Sequence, residues 1–388
     1  MRGIGRLTLL GCCVWSVRAQ TELAKIKTAV AENLDRLPNY TCTETIQKST
    51  VRKSTGKVII QETVRVEVAY VNGEELFGWP GSKIDEPDIG KMISGSSGNG
   101  YFGLISNNIF SSPEASFQNA GAVELEGRRA VRYDYRVPRS AMAYHIKTDS
   151  GTAFVAFHGS FWVNAALDLM RVTLIVDDPP LIFGIAGTAS ILDYERQAIG
   201  SSTFVLPRGA ELVVNGTEGI EDRSRLNFSA CHQFVGESVL KFDDPAAEPR
   251  DAAAKLPPAV IALPDDFTVE FNLDAPIDGT SAAGGDPVQG TLREGVRWKG
   301  QIVLPKGARL SGRIAHMALR GDLYYLELAL TAIDFERGHA DLTGRRNGVS
   351  EEDRPLIFRT AKFKFARGAR LTLHSRLLKS VHNDSIRP

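Results

Sequence analysis

Apolar and polar positions alternate with period two along much of the chain, and each such stretch predicts a half-buried strand. In residues 58–72, Val64, Val66, Val68 and Tyr70 take one side while Thr63, Arg65 and Glu67 take the other. Residues 40–49 precede it across the turn Ser54-Thr55-Gly56-Lys57, which makes a long hairpin. Residues 123–135 read as a second hairpin turning at Gly127. From 157 to 212 four β-branched and aromatic runs follow one another, at 157–163, 169–176, 189–194 and 203–207. Gly, Pro, Asn and Asp clusters separate them, the pattern of consecutive antiparallel strands with short turns. Strands at 210–214 and 226–234 close the series.

Helical spacing occurs twice. In residues 21–36 the positions Leu23, Ile26, Val30, Leu34 and Leu37 recur every three or four residues, and Pro38 stops the pattern. In residues 101–110, Phe102, Ile105, Ile109 and Phe110 suit a short helix leaving a Gly/Ser-rich loop. These elements predict the α+β class, a large antiparallel sheet with helices on one side. Residues 243–264 then lose all periodicity, carry Pro257-Pro258 and several Ala, and read as a semi-stiff linker. Alternation restarts at 267–273 and returns at 287–292, 301–314, 324–333 and 362–373, which predicts a small all-β barrel or sandwich. The expected domains are a signal peptide at 1–19, a first domain at 20–242, the linker at 243–264 and a β domain at 265–388.

The signal peptide rests on Arg2 and Arg6 before an apolar, uncharged run at 7–17, with Val17-Arg18-Ala19 as the cleavage site before Gln20. Leu9-Leu10-Gly11-Cys12 approximates a lipobox, so acylation at Cys12 is the alternative. No other stretch is apolar enough to span a bilayer, so no transmembrane segment is expected in the mature chain. Cleavage leaves Cys42 and Cys231, and two cysteines in an exported protein suggest one disulfide; two separate buried thiols are the alternative.

Composition changes this picture little. Hydrophobic residues make up 43% and charged residues 24%, and 46 basic residues balance 46 acidic ones. Zero net charge gives no reason to expect a nucleic-acid partner. Only residues 345–388 are lopsided, with eleven Lys/Arg against four Asp/Glu. That run is either solvated strand faces and a tail or a contact for an anionic partner such as a lipid headgroup.

The order Phe161-Trp162-Val163-Asn164, Leu167-Asp168-Leu169, Arg171-Val172, Leu192-Asp193-Tyr194 and Phe204-Val205-Leu206-Pro207 resembles the outer-membrane lipoprotein-sorting superfamily. There, a strand with Trp-(Ile/Val)-Asp and a following Leu-x-Arg precede later strands ending in Leu-Pro. The resemblance covers about residues 21–244, with its specific motif confined to 157–212. Asn164 replaces the usual Asp, which leaves the turn chemistry intact. Leu37-Pro38-Asn39-Tyr40-Thr41-Cys42 and Cys231-His232-Gln233-Phe234 also resemble segments of exported acidobacterial proteins. The resemblance implies a half-barrel sheet wrapped round one or two helices, with an apolar cavity for acyl chains or a hydrophobic peptide. In the second domain, Val303-Leu304-Pro305-Lys306-Gly307-Ala308-Arg309-Leu310-Ser311-Gly312-Arg313-Ile314 resembles the periplasmic β-barrel domain of conjugative-transfer and type IV secretion scaffold proteins.

Catalytic signals are weak. The histidines at 145, 158, 232, 316, 339, 374 and 382 lack partners at ligand spacing, and neither H-E-x-x-H nor G-x-S-x-G occurs. Asp177-Asp178 before two prolines reads as a charged turn. Gly98-Asn99-Gly100-Tyr101-Phe102-Gly103 has the letters of a dinucleotide fingerprint without the preceding buried strand that motif needs. No metal, no cofactor and no enzyme activity are expected. The set Phe77, Trp79, Tyr101, Phe102, Phe110, Phe161 and Trp162 reads either as packed core or as a ligand-lining patch. The second reading arises because the first five lie on Gly-flanked, loop-like segments. The expected function is binding of a lipid, acyl chain or lipidated peptide in the periplasm or outside the cell, peripheral to the outer membrane. The rival is an assembly module that contacts an envelope protein partner through its second domain.

Overall fold

The period-two segments become strands in the computed structural model, which describes residues 10–234, 259–260, 263–336, 338–342, 345–349 and 355–377. The chain falls into two units. One takes Met1–Ile59, Val66–Gly78 and Ser82–Val235, and the other takes Ile60–Arg65, Trp79–Gly81 and Gly236–Pro388. Ile60–Arg65 and Trp79–Gly81, which the sequence reading assigns to the first domain, therefore group with the second unit.

In the first unit α1 (Leu10–Asp35) leads to β1 (Tyr40–Arg52), β2 (Lys57–Val71) and β3 (Glu74–Gly78). After α2 (Leu104–Phe110) come β4 (Ser116–Leu125), β5 (Arg128–Val137), β6 (His145–Thr148), β7 (Gly151–Phe154) and β8 (Phe157–Val163). The series ends with β9 (Leu169–Val176), β10 (Ile185–Ile199), β11 (Ser202–Gly216) and β12 (Ile220–Gln233). Antiparallel pairing gives the order β3-β2-β1-β12-β11-β10-β9-β8-β5-β4, with β6 and β7 as a separate hairpin. Among the described residues this large sheet is not closed into a barrel.

Register explains why the sheet has one apolar face. Tyr133 pairs with Phe161, Phe161 with Val172, Val172 with Leu192, Leu192 with Ala210, Ala210 with Leu226 and Leu226 with Ile46. Every member of this row is buried. A slip of one residue in any strand would turn its share of the row to solvent, so the apolar alternation itself fixes the register. The β4–β5 turn is equally local in origin, since Glu126 (φ 51°) and Gly127 (φ 76°) adopt the two positive φ values of a type I′ hairpin.

The first helix is longer than expected. It runs from Leu10 without a break at Ala19, because nothing between them removes a backbone N–H or locks φ as Pro would. Its expected face is in place, with Ile26 and Val30 buried and Leu23 and Leu34 half-buried. Among the described residues no helix is long and apolar enough to cross a membrane. A disulfide joins Cys42 on β1 to Cys231 on β12, 189 residues apart in sequence, beside the register pairs Thr41 with His232 and Thr43 with Ser229.

The second unit is all β where it is described. Its strands are β13 (Ala259–Val260), β14 (Asp266–Leu273), β15 (Ile277–Asp278), β16 (Pro287–Leu292), β17 (Val296–Trp298) and β18 (Gln301–Leu304). They continue with β19 (Arg309–Arg320), β20 (Leu323–Phe335), β21 (Gly338–Asp341), β22 (Arg345–Gly348), β23 (Leu356–Phe358), β24 (Lys364–Phe365) and β25 (Arg370–Leu377). Antiparallel pairs run β22-β25-β14-β16-β19-β20-β21, and β13 lies parallel to β21. Ala259 and Val260 thus form a strand inside the expected linker, while 243–258 and 261–262 lie outside the described residues, as do 378–388 of the basic C-terminal run. The core holds Phe271, Leu304, Leu310, Leu326, Ile333 and Leu373, all fully buried.

Candidate functional site

A cavity of about 150 Å³ opens in the first unit between α1, α2, the β8–β9 turn and strands β10 and β11. Asn33 on α1 positions its wall. The side-chain amide donates to the Val205 carbonyl at 3.0 Å, and its oxygen accepts the Val205 N–H at 2.9 Å. One asparagine thereby satisfies both backbone groups of a β11 residue and fixes the helix against the strand.

The lining changes character from inside to outside. Its buried part consists of Val30, Phe102, Leu169 and the hydroxyls of Ser106 and Tyr194, which bond to each other at 2.9 Å. Its exposed part carries Glu32, Arg36 and Arg196. Arg196 holds the half-buried Asp168 through two bonds, Nε to Oδ2 at 2.8 Å and Nη2 to Oδ1 at 2.7 Å, a bidentate pair. The β8–β9 turn that presents Asp168 is set by Asn164, whose Oδ1 accepts the N–H groups of Ala166 at 2.8 Å and Asp168 at 3.0 Å. Arg36 donates from Nε to the Glu32 carbonyl at 3.1 Å and pairs with no carboxylate among the described residues.

Behind the cavity lies a polar nest that sequence reasoning missed. Glu75 on β3 accepts the N–H of Gly100 and of Phe102, each at 2.7 Å, and so fixes the loop that leads into α2. Burial pushes its carboxyl up to about 7, although those two bonds favour the charged form. Glu44 on β1 is 1% exposed and is raised well above the usual carboxylate range, first by burial and then by Glu75. Its Oε1 and the Tyr40 hydroxyl find no hydrogen-bond partner among the described residues. Burial also pushes the Tyr194 hydroxyl up to about 12. A signal for Glu44 exists in the sequence: it falls on the same side of β1 as Tyr40, Cys42 and Ile46, all buried. Glu75 carries no comparable local signal.

The aromatic residues singled out from sequence do not form one site. Phe102 lines the cavity and packs against Phe228 at 4.7 Å and Tyr40 at 5.5 Å between ring centres. Phe110 and Phe161 stand 4.9 Å apart in another cluster with Tyr133 and Phe117. Phe77 and Tyr101 are buried away from solvent. Trp162 is half-buried 5.7 Å from the Arg132 guanidinium. Trp79 belongs to the second unit, beneath the Arg313 guanidinium at 4.3 Å. The premise that Gly-flanked segments stay shallow fails here, because glycine permits close approach. A Cβ on Gly103 would stand 2.8 Å from the Tyr70 hydroxyl, so glycine lets this loop approach β2 closely and carry its aromatic side chains into the core.

The glycine loop does not cradle phosphate. Residues 94–100 are irregular, and two of the N–H groups that a phosphate would use are taken by the carboxylate of Glu75. His158 Nδ1 and the Arg136 guanidinium both contact the half-buried Asp177 carboxylate, at 2.5 and 2.9 Å, so that carboxylate is already engaged within the protein. No group of three or more His, Cys, Asp or Glu fit to hold a metal ion occurs among the described residues.

No protein-family model and no curated protein matches the chain. Among solved structures it is similar to a DUF1329 family protein from Desulfovibrio piger, with 11% identity and a TM-score of 0.29, over 56% of this chain and 95% of that one. It is also similar to an outer membrane lipoprotein-sorting protein domain from Vibrio parahaemolyticus, with 8% identity and a TM-score of 0.28, over 56% and 94%. A third likeness is LprF from Mycobacterium bovis, with 10% identity and a TM-score of 0.23, over 55% and 95%. At these values the likenesses carry no functional inference.

Proposed function

We propose that the first unit is a non-enzymatic binding module of the cell envelope whose cavity takes the apolar end of an amphiphile, one acyl chain or an apolar peptide segment. The observation that carries this reading is the graded lining, apolar around Val30, Phe102 and Leu169 and charged around Arg36, Asp168 and Arg196. A ligand with a greasy end and a polar end matches both parts, and each methylene moved out of water contributes about 0.8 kcal/mol. The volume of about 150 Å³ limits what enters. It is the size of a cavity that holds one benzene and lies below the roughly 300–1,000 Å³ of drug-sized ligand sites. A single chain end fits that limit and a pair of chains does not. The disulfide supports an oxidising compartment, as expected of an envelope protein.

The test is mass spectrometry of an organic extract from protein purified out of an envelope fraction without detergent, with uptake of a fluorescent fatty acid measured alongside. The expected result is one single-chain lipid per protein, and a fatty acid that competes with it. Protein that carries nothing and takes up no fatty acid overturns the reading and favours the assembly role, to be pursued by crosslinking through the second unit.

A further inference from the structure

In the second unit β17 and β18 form a two-stranded hairpin that pairs with no other strand among the described residues. Its tip is Lys299-Gly300, with φ values of 50° and 82°, the two-residue turn that matches the twist of a hairpin. At its base a Cβ on Gly295 would stand 2.6 Å from the Leu304 carbonyl, so the two arms meet closely there. Leu304 is fully buried in the core, which anchors the hairpin while its tip stays in solvent.

The hairpin exposes two large apolar side chains close to its tip. Trp298 is 37% exposed and Ile302 56% exposed. Trp298 pairs with Gln301 and Ile302 with Arg297, so the two apolar side chains lie on opposite faces next to the tip. Residues 293–306 hold Arg293, Arg297, Lys299 and Lys306 against the single carboxylate of Glu294, in a chain whose net charge is zero. Arg293 is engaged by Glu270 at 3.0 Å. Arg297, Lys299 and Lys306 pair with no carboxylate among the described residues, and the Lys299 ammonium sits 4.4 Å above the Trp298 ring.

We propose that this hairpin docks tip-first on an anionic phospholipid surface. Headgroup phosphates would take Arg297 and Lys299 near the tip, and the indole of Trp298 suits the boundary between headgroups and acyl chains. Contact by either flat face would bury only one of Trp298 and Ile302, whereas entry by the tip buries both. A soluble polyanion would satisfy the cations and leave Ile302 in water, so the apolar pair favours the bilayer. This inference uses only the second unit and does not depend on the cavity.

The test uses the full chain and large unilamellar vesicles, of phosphatidylcholine alone or containing phosphatidylglycerol. Flotation at low salt is expected to recover the protein with the anionic vesicles and not with the neutral ones, and high salt is expected to release it. Each basic side chain near an anionic surface contributes a factor of about five, so Arg297→Ala with Lys299→Ala lowers partitioning roughly 25-fold. Trp298→Ser with Ile302→Ser lowers it as well, and both pairs sit at exposed positions where folding tolerates substitution. Brominated lipid quenches tryptophan fluorescence in the parent protein, and Trp298→Phe removes that quenching. Absence of binding to anionic vesicles, or binding unchanged in both double variants, overturns the proposal. Capture on heparin with no quenching by brominated lipid also overturns it, in favour of a soluble polyanion.

Discussion

In the second unit the described core is aliphatic and aromatic, and Ser375 is its one buried polar side chain. The first unit buries Thr41, Glu44, Lys48, Ser106, Ser160, Thr188, Ser190 and Ser224 along with its apolar row. Both units are built from the same alternating strands, so strand formation does not require these polar positions. A buried hydroxyl or carboxyl is costly unless partnered, and an apolar side chain of like size costs nothing of the kind. One interior is built from apolar packing, while the other also holds polar side chains, of which Ser106 faces the cavity and Glu44 lies in the polar nest.

The largest expected effect separates the two units by their covalent chemistry. Replacing Cys42 and Cys231 with Ser removes a crosslink over 189 residues, and a loop of that length is worth about 5 kcal/mol in the chain-entropy account. Hydrogen exchange is expected to quicken in β1 and β10 to β12 and to stay unchanged in β14 and β19. Next, Phe271→Ala empties a fully buried site in the second unit and is expected to cost about 3–5 kcal/mol in urea unfolding.

A pH effect of roughly 3 kcal/mol belongs to the first unit. Glu75 rises from 4.5 to about 7 on folding, so between those pH values the folded state keeps a proton that the unfolded chain has released. Stability of the first unit is therefore highest at the acid end, falls as pH climbs from about 4.5 to 7, and levels off above that. Glu44 acts in the same direction. Segment-resolved exchange against pH checks this, and Glu75→Gln is expected to flatten the profile.

Smaller still, Asn33→Ala removes two bonds to Val205, about 2 kcal/mol in all, and is expected to raise exchange in β11 near the cavity. The last effect has the opposite sign. Glu44→Met removes an unpartnered buried carboxyl and is expected to leave stability unchanged or raise it by about 1 kcal/mol at neutral pH. A loss as large as that of Phe271→Ala would erase the contrast between the interiors.

The strands were legible because their signal is local. The alternation of Val64, Val66 and Val68 needs no knowledge of the partner strand, and the same holds for α2 and for the Gly127 turn. The start of α1 differs from the expected one because an apolar, uncharged run carries the same local signal for export as for a helix. The grouping of Trp79 with the second unit carries no local signal, because it depends on residues such as Arg313, far along the chain. The cavity was hidden for the same reason, since Asn33 and Val205 meet across 172 positions. Glu44 stood in plain alternation on β1, and a test for a charged residue on an apolar face would have found it.

Mechanical load follows a particular route through the first unit. Cys42 and Cys231 lie near the two ends of its sheet-forming sequence, so tension applied between α1 and Phe234 crosses the sulfur bridge and leaves β2 to β11 slack. The helix lies outside that loop and is held to β11 through the Asn33 clasp. Under a pull it would peel away first, exposing the cavity wall while the sheet stays intact, and the length gained would be that of one helix.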